Sequence, residues 1–290
     1  MTRPVVVGVD GSPESLAAVD WAAEEAQPRG LPLHIVHAWL WQPLDIPVLQ
    51  NREAEEESAR AVLREAEARV TQRHTGLDVT ARIAPDTAVA ALVSEAKRSA
   101  LLCLGTRGHG ALLGFLLGSY GQQVIATASG PVVSVRAEDD EHLLSRSGDV
   151  VVGQQGSAED SAEVLGFAFE AAAVRGVPLR AVRAWSLPPV YTWSPGSLAM
   201  IDDAGGLEPL ERKALQEALA PWRERFPDVE VTEHVEIGSA GQVLLDQAAS
   251  AQLLVVGRRA RRAPIGTRIG SAAHAVLHHA RCPVAVVPHS

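Results

Sequence analysis

Two stretches of the chain combine glycines with a Gly-Ser pair at a spacing that suits a phosphate-binding loop. The first is GTRGHGALLGFLLGSYGQQV, residues 105–124, and the second is GRRARRAPIGTRIGSAAHAV, residues 257–276. In each, a glycine follows an apolar run and a Gly-Ser pair comes thirteen residues later, where a helical pattern starts. Glycines let the backbone approach a ligand closely, and a helix N-terminus offers amide groups and the positive end of its dipole. The pattern therefore predicts an anion cradle sized for phosphate.

Two better-known phosphate loops do not fit the first stretch. A Walker A loop has lysine before its serine or threonine, whereas Gly118 precedes Ser119 here. A dinucleotide-binding fingerprint follows the first strand of its sheet, whereas Gly108, Gly110 and Gly114 have the wrong spacing and follow the fourth. Both alternatives are rejected. Tight turns without a ligand remain the simplest other explanation of these glycines.

The chain carries the same unit twice. VVVGVDGS at residues 5–12 recurs as VVVGQQGS at residues 150–157, and RGLPLHIVHAW recurs as RGVPLRAVRAW. The glycine pattern and a final strand, SGPVVSVR or RCPVAVVP, repeat in the same order. Four ordered matches indicate a tandem duplication. The polar segment from 137 to 148 separates the copies, so we predict domains at residues 1–137 and 148–290.

Each copy alternates short apolar runs with helical patterns, which predicts the α/β class. The first copy has strands predicted at Val5–Asp10, Leu33–Ala38, Val79–Ile83, Leu101–Gly105 and Val132–Arg136, and helices at Ser12–Gln27 and Arg52–His74. Nearly continuous apolar strands are typical of a parallel sheet buried on both faces. We expect two doubly wound α/β sandwich domains, each with a five-stranded, mainly parallel sheet in the order 3-2-1-4-5. In such a fold the ligand site lies at the carboxyl ends of the strands.

Composition limits the classes of partner. The net charge is −9 over 290 residues, which argues against general binding of nucleic acid or anionic membranes. No apolar run approaches the ~20 residues of a membrane helix, and no signal peptide is recognised. Cys103 and Cys282 lie inside apolar runs, as expected of buried residues in a reducing compartment. We expect a cytoplasmic protein with no nucleic-acid or membrane partner.

The glycine pattern, the VGVDGS run and the duplication together resemble the universal stress protein family, of the tandem, ATP-binding type. The resemblance implies ATP or a related adenine nucleotide in each unit, with Mg²⁺. Residues 8–10 would hold the nucleoside end, Ala38 would line the adenine pocket, and 104–111 would wrap ribose and phosphates. Residues 118–121 would take the phosphates. In the first unit the implied nucleotide-binding residues are Gly8, Val9, Asp10, Ala38, Leu104, Gly105, Thr106, Arg107, Gly108, His109, Gly110, Ala111, Gly118, Ser119, Tyr120 and Gly121.

The second copy departs from this pattern at two positions. Gln155 replaces Asp10, or Gln154 does if a one-residue length difference falls just before it, and Ala260 replaces Gly108. Its arginines either strengthen the grip on a phosphate-bearing ligand or form a solvated basic loop. The candidate residues of the second unit are Gly153, Gln155, Ala184, Gly257, Arg258, Arg259, Ala260, Arg261, Arg262, Ala263, Gly270, Ser271 and Ala272. No metal ligand is assigned in either unit.

No catalytic residue is predicted, because the chain lacks GxSxG, HExxH and a Walker lysine. His109, beside the expected phosphates, is the one candidate for a charge role, and slow ATP hydrolysis is the enzymatic alternative. A second alternative is a partner-binding protein whose second domain no longer binds nucleotide. The segments 39–51 and 185–206 are candidate lids or surfaces for an unidentified protein partner. The family resemblance also implies that the final strands pair the two units as an intramolecular pseudo-dimer, and that chains form a homodimer.

Overall fold

The computed structural model describes residues 2–40, 52–106, 119–137, 148–186, 206–260 and 269–289. It divides into two compact units, residues 1–141 and 142–290. No helix in the described ranges is long and apolar enough to cross a membrane. Cys103 and Cys282 are both buried, as the apolar runs around them predict.

Unit one alternates strands and helices. Its elements are β1 (Val5–Gly8), α1 (Pro13–Arg29), β2 (Leu33–Ala38), α2 (Arg52–Arg73), β3 (Val79–Ala84), α3 (Ala88–Ala96), β4 (Leu101–Thr106), α4 (Ser119–Thr127) and β5 (Val132–Arg136). The sheet order is β3-β2-β1-β4-β5, and every neighbouring pair is parallel. Central strand β1 has Val5, Val6 and Val7 wholly buried, because helices cover both faces of the sheet.

Unit two repeats this architecture. Its elements are β6 (Val150–Gly153), α5 (Ala162–Arg175), β7 (Leu179–Trp185), α6 (Glu208–Arg225), β8 (Val231–Ile237), α7 (Ala240–Gln247), β9 (Leu253–Arg259), α8 (Ser271–His279) and β10 (Val284–His289). The order β8-β7-β6-β9-β10 is also parallel throughout. The predicted α/β class with parallel sheets is therefore confirmed in each unit.

Local chemistry sets the ends of α1. The Ser12 hydroxyl accepts a hydrogen bond from the amide of Ser15 at 3.2 Å, and proline follows the cap, as expected at a helix start. The helix continues past the predicted end at Gln27 to Arg29. Gly30 stops it with a φ of +62°, a left-handed conformation that glycine adopts at little cost.

Helix α2 shows where the predicted periodicity needs one correction. Its buried stripe is Ala59, Leu63, Ala66 and Val70. The spacing of Ala59, Val62, Ala66 and Val70 predicts one apolar stripe along this helix. Val62 is only partly buried, however, and its Cγ2 atom is 3.0 Å from the position of a Cβ on Gly11, in the loop that follows β1. Strand β1 is also shorter than predicted and ends at Gly8.

One acidic side chain is buried between two arginines in unit one. Glu95, at the end of α3, is 6% exposed. Its Oε1 atom lies 2.6 Å from Arg82 on β3 and 2.5 Å from Arg98 just after the helix. Burial raises the pKa of Glu95, but the hydrogen bonds from both guanidinium groups outweigh it and hold the pKa below its ordinary value. The ion triad therefore favours the folded state when Glu95 is ionised.

Candidate functional site

In unit one, the predicted nucleoside-end residues lie where β1 ends. The amide of Val9 donates to Val36 of β2 at 2.9 Å, which carries the chain one residue beyond the strand. Nδ1 of His37 is hydrogen-bonded to the Val9 carbonyl at 2.8 Å. Ala38 ends β2 and is half-buried. Gly8, Val9 and Ala38 thus meet at the carboxyl edge of the sheet, where a doubly wound fold places its ligand.

Asp10 holds the turn between β1 and α1. Its Oδ1 atom accepts hydrogen bonds from the Ser12 amide at 3.0 Å and the Ser12 hydroxyl at 2.5 Å. Burial raises the pKa of this carboxyl, but the bonds from Ser12 and Ser15 outweigh it and bring the pKa below its ordinary value. Asp10 is exposed and ionised at neutral pH, so it presents hydrogen-bond acceptors to any molecule bound at this edge.

Three predicted residues of β4 have packing roles in the structure. A Cβ on Gly105 would lie 2.3 Å from the backbone of Glu14, so the first turn of α1 presses directly on this glycine. Thr106 is buried, and its hydroxyl donates to the Val135 carbonyl at 3.2 Å. Leu104 is buried as well. Nucleotide contacts for these three residues stay a prediction.

Several predicted residues of unit one lie outside the described residues: Arg107, Gly108, His109, Gly110, Ala111 and Gly118. The same holds for most of the two candidate lids, residues 41–51 and 187–205. Past the gap, Ser119 begins α4, Tyr120 is exposed and Gly121 is half-buried. Of the residues expected to take the phosphates, the structure therefore describes only those from the start of α4 onward.

Unit two contains a cavity of about 330 Å³ at the carboxyl ends of its strands. Eight of the predicted residues line it, namely Gly153, Gln155, Ala184, Gly257, Arg258, Arg259, Gly270 and Ala272. Ala260 and Ser271 are exposed and do not line it, and Arg261, Arg262 and Ala263 lie outside the described residues. The volume falls within the range of small-molecule sites, roughly 300–1,000 Å³.

The structure assigns the position that corresponds to Asp10. The backbone N–H of Gln154 donates to the Val182 carbonyl at 2.9 Å, as the backbone N–H of Val9 does to the Val36 carbonyl. The next glycine in each unit, Gly11 or Gly156, has a φ of +82°. Gln155 therefore occupies the place of Asp10, and the alternative assignment to Gln154 is wrong. The extra residue of unit two falls later, between Ser157 and α5.

Gln154 is a buried hydrogen-bonding hub. Its Nε2 group donates to the Gly156 carbonyl at 3.1 Å and to the Ser161 hydroxyl at 3.2 Å. Its Oε1 atom accepts from Arg183 at 2.5 Å, and Arg183 also pairs with Glu211 at 2.6 Å. This network fixes the loop after β6, on which the cavity wall depends.

The sequence analysis missed the carboxylate of this cavity, Asp160. Its Oδ2 atom accepts hydrogen bonds from the Ser157 amide at 3.1 Å and the Ser157 hydroxyl at 2.9 Å. These bonds, followed by the charges of Arg259 and His289, lower the pKa of Asp160 below its ordinary value. The signal in the sequence was the one-residue length difference, because Asp160 lies in the lengthened segment.

A basic and amide-rich side completes the cavity. Arg258, at the position of Thr106, is buried, and that burial lowers the pKa of its guanidinium. Arg259 beside it is exposed. Helix α8 starts after Gly270, and no described side chain caps it, so the amides of its first turn can donate to an anion. Both features favour a negatively charged group at this end.

The cavity also has an apolar wall and a second residue that the sequence analysis did not predict. Val164, Val182, Leu244, Val256 and Ala273 line it. His289, in β10, lies over Gly257, since a Cβ there would be 2.9 Å from the imidazole Cδ2. In the described ranges, no three or more His, Cys, Asp or Glu side chains are grouped to hold a metal ion. The cavity is thus lined by aliphatic side chains and by the polar groups of Asp160, Arg258 and His289.

Comparison with known proteins gives a consistent result over both units. The sequence model of the Universal stress protein family matches residues 1–136 and 148–288. Universal stress protein Rv2005c of Mycobacterium tuberculosis is 37% identical over 295 residues, covering 99% of this chain and 97% of its own. A universal stress protein structure from Archaeoglobus fulgidus shares the fold, with a TM-score of 0.69 at 16% identity, covering 99% of this chain and 98% of that one. A universal stress protein solved in complex with cAMP is 29% identical with a TM-score of 0.37, covering 47% of this chain and 98% of that one.

Proposed function

The chain belongs to the universal stress protein family, and we propose that it is a regulatory module that binds ATP or a related adenine nucleotide in each unit. The observation that carries this proposal is the cavity of unit two, with its apolar wall, its cationic side and the uncapped start of α8. Such a combination suits a ligand with a flat apolar base and an anionic tail.

The apolar wall is the proposed place of the adenine ring. Val182 and Ala184 belong to β7, and Leu244 belongs to α7. Burying a flat ring between aliphatic side chains is favourable, because it removes apolar surface from water. Ala184 corresponds to Ala38 of unit one, and its small side chain leaves room for the ring.

The phosphates would lie at the opposite end of the cavity. Arg258 supplies a guanidinium, whose planar group can pair with two phosphate oxygens. The backbone amides of Gly270, Ser271 and Ala272 lie at the N-terminus of α8, which is the positive end of its dipole. Mg²⁺ would arrive with the phosphates, because this ion is usually held by substrate oxygens and one or two protein groups.

Unit one is proposed to bind nucleotide through Asp10, Ala38 and the start of α4, with the first-unit residues that the family resemblance implies. Occupancy of the two units would change which protein partner the chain recognises. Segments 39–51 and 185–206, which follow β2 and β7, are the proposed recognition surfaces. A homodimer of tandem chains in the cytoplasm completes this proposal.

The test is to block each unit separately and count bound nucleotide. Ala38→Phe fills the expected adenine place of unit one, and Ala184→Phe fills that of unit two. Ala220→Phe, on the exposed face of α6, is the matched control. Each purified full-length protein is denatured and the released nucleotide is quantified by chromatography, and binding of added ATP is measured by calorimetry.

We expect about two nucleotides per chain for the wild type and the control, and one for each blocked variant. A loss with Ala38→Phe alone would restrict nucleotide binding to unit one. If the wild type neither releases nucleotide nor takes up ATP, the proposed function is refuted.

A further inference from the structure

In each unit an aspartate accepts hydrogen bonds from the equivalent serine, but the aspartate precedes the serine in unit one and follows it in unit two. In unit one, Asp10 precedes Ser12 by two residues and accepts its amide and hydroxyl hydrogen bonds. In unit two, Asp160 follows the equivalent Ser157 by three residues and accepts the same two bonds. Gln155, at the place of Asp10, is neutral and exposed. Asp160, in the lengthened segment, thus supplies unit two with a negative charge that Gln155 does not.

We infer that Asp160 determines ligand specificity in unit two by accepting hydrogen bonds from the hydroxyl groups of the ligand's sugar. The inference rests on the proposed function and concerns the same cavity. With Asp160 in the cavity lining, the replacement of Asp10 by an amide does not leave the second site without a carboxylate.

The position of Asp160 supports this role. Asp160 lines the cavity, so it is within reach of a bound molecule. Both bonds from Ser157 are accepted by Oδ2, which fixes the orientation of the carboxylate. Within the described ranges Oδ1 accepts no hydrogen bond, so its lone pairs can take a donor of the ligand. The Asp160 amide in turn donates to the Ser157 hydroxyl at 3.1 Å, so backbone and side chain are held together.

The charge of Asp160 restricts what it can contact. An ionised carboxylate only accepts hydrogen bonds, and it repels phosphate. Its partner in the ligand must therefore be a donor, and sugar hydroxyls are the donors of a nucleotide that lie between base and phosphates. Arg259 and His289 stand near Asp160, and the start of α8 also lines the cavity. This arrangement fits a ligand with its sugar at Asp160 and its phosphates at α8.

The experiment compares ATP with 2′-deoxy-ATP and 3′-deoxy-ATP in the full-length Ala38→Phe protein, which leaves unit two open. Asp160→Asn removes the charge and keeps the shape of the side chain. Glu159→Gln is the matched control, because it removes the same charge from the neighbouring exposed residue, which does not line the cavity. Kd is measured by calorimetry, and the fold of each variant is checked by circular dichroism.

With Asp160 intact, at least one deoxy analogue should bind about tenfold more weakly than ATP or worse, the usual scale of a hydrogen bond to a charged group. Asp160→Asn should weaken ATP by a similar factor and abolish the discrimination, while Glu159→Gln should change neither. The comparison of nucleotides requires no change at Asp160, so it stands even if Asp160→Asn fails to fold.

Two results would overturn the inference. Equal binding of ATP and both analogues to the protein with Asp160 intact would remove the sugar contact and leave nucleotide binding itself standing. Weakening by Asp160→Asn that occurs only with Mg²⁺, without discrimination against the analogues, would assign Asp160 to the metal. A protein that takes up no nucleotide in either unit refutes the proposed function, and the inference with it.

Discussion

Gly105→Ala should destabilise unit one strongly, because this glycine is in contact with backbone that cannot move independently. The added Cβ would lie 2.3 Å from the carbonyl carbon and oxygen of Glu14 and 2.6 Å from the amide of Ser15. Ordinary contact distances are about 3.5–4.0 Å, so the start of α1 must shift by roughly 1 Å.

The expected cost follows from this shift. Overpacking a core costs about 1–3 kcal/mol, and a backbone obstacle places Gly105→Ala near the upper end. Replacing glycine also restricts the unfolded chain, which returns about 0.5–1 kcal/mol. The net loss in free energy of unfolding is about 2 kcal/mol, which corresponds to a fall in Tm of roughly 4–8 °C for a unit of this size.

Gly257→Ala is the matched control in unit two. There the Cβ would meet side chains, with His289 at 2.9 Å and Val164 at 3.1 Å, and side chains can rotate away. Its Tm should stay within about 2 °C of the wild type. Scanning calorimetry and urea unfolding measure both proteins. Equal stability of the two variants would refute the claim that the start of α1 rests rigidly on Gly105.

Two further substitutions test the ion networks. Glu95→Gln should lower the free energy of unfolding most above about pH 5 and progressively less as the pH falls below about 4.3, because the depressed pKa of Glu95 stabilises the folded state only while the carboxylate is ionised; urea unfolding at several pH values checks this, and a pH-independent difference would contradict it. Arg183→Met should lower the free energy of unfolding by about 2 kcal/mol, because it leaves the buried Gln154 Oε1 atom without its donor. Arg212→Met, which removes an exposed i,i+4 ion pair, should lower it by about 0.5 kcal/mol or less. Similar losses for both arginines in urea unfolding would contradict this ranking.

The sequence was sufficient for the architecture of each unit. Apolar runs such as Val5–Val7 are typical of a parallel sheet buried on both faces, and serine followed by proline marks a helix start. The strands and helices predicted for the first copy lie within about two residues of those in the structure. The repeat added strength, because both copies show the same alternation of apolar runs and helical patterns.

The site was only partly predictable, for two physical reasons. A glycine after a strand gives the same sequence signal whether a ligand or a helix approaches it, and at Gly105 the neighbour is the first turn of α1. The place of an inserted residue is also not visible in a pairwise match of two short runs. It became clear only from the shared hydrogen bonds of Val9 and Gln154 and the shared φ of the glycines that follow. Asp160, which lies in the lengthened segment, was missed for the second of these reasons.

The serine at the start of α1 and its counterpart before α5 constrain how one unit can be converted into the other. The amide and hydroxyl of Ser157 already donate to Asp160, so an aspartate introduced at Gln155 would compete for the same two donors and place two negative charges side by side. Redesigning unit two to copy unit one therefore requires a deletion together with the substitution. The two sites differ in chain length as well as in sequence. Residue replacements alone therefore cannot convert one site into the other.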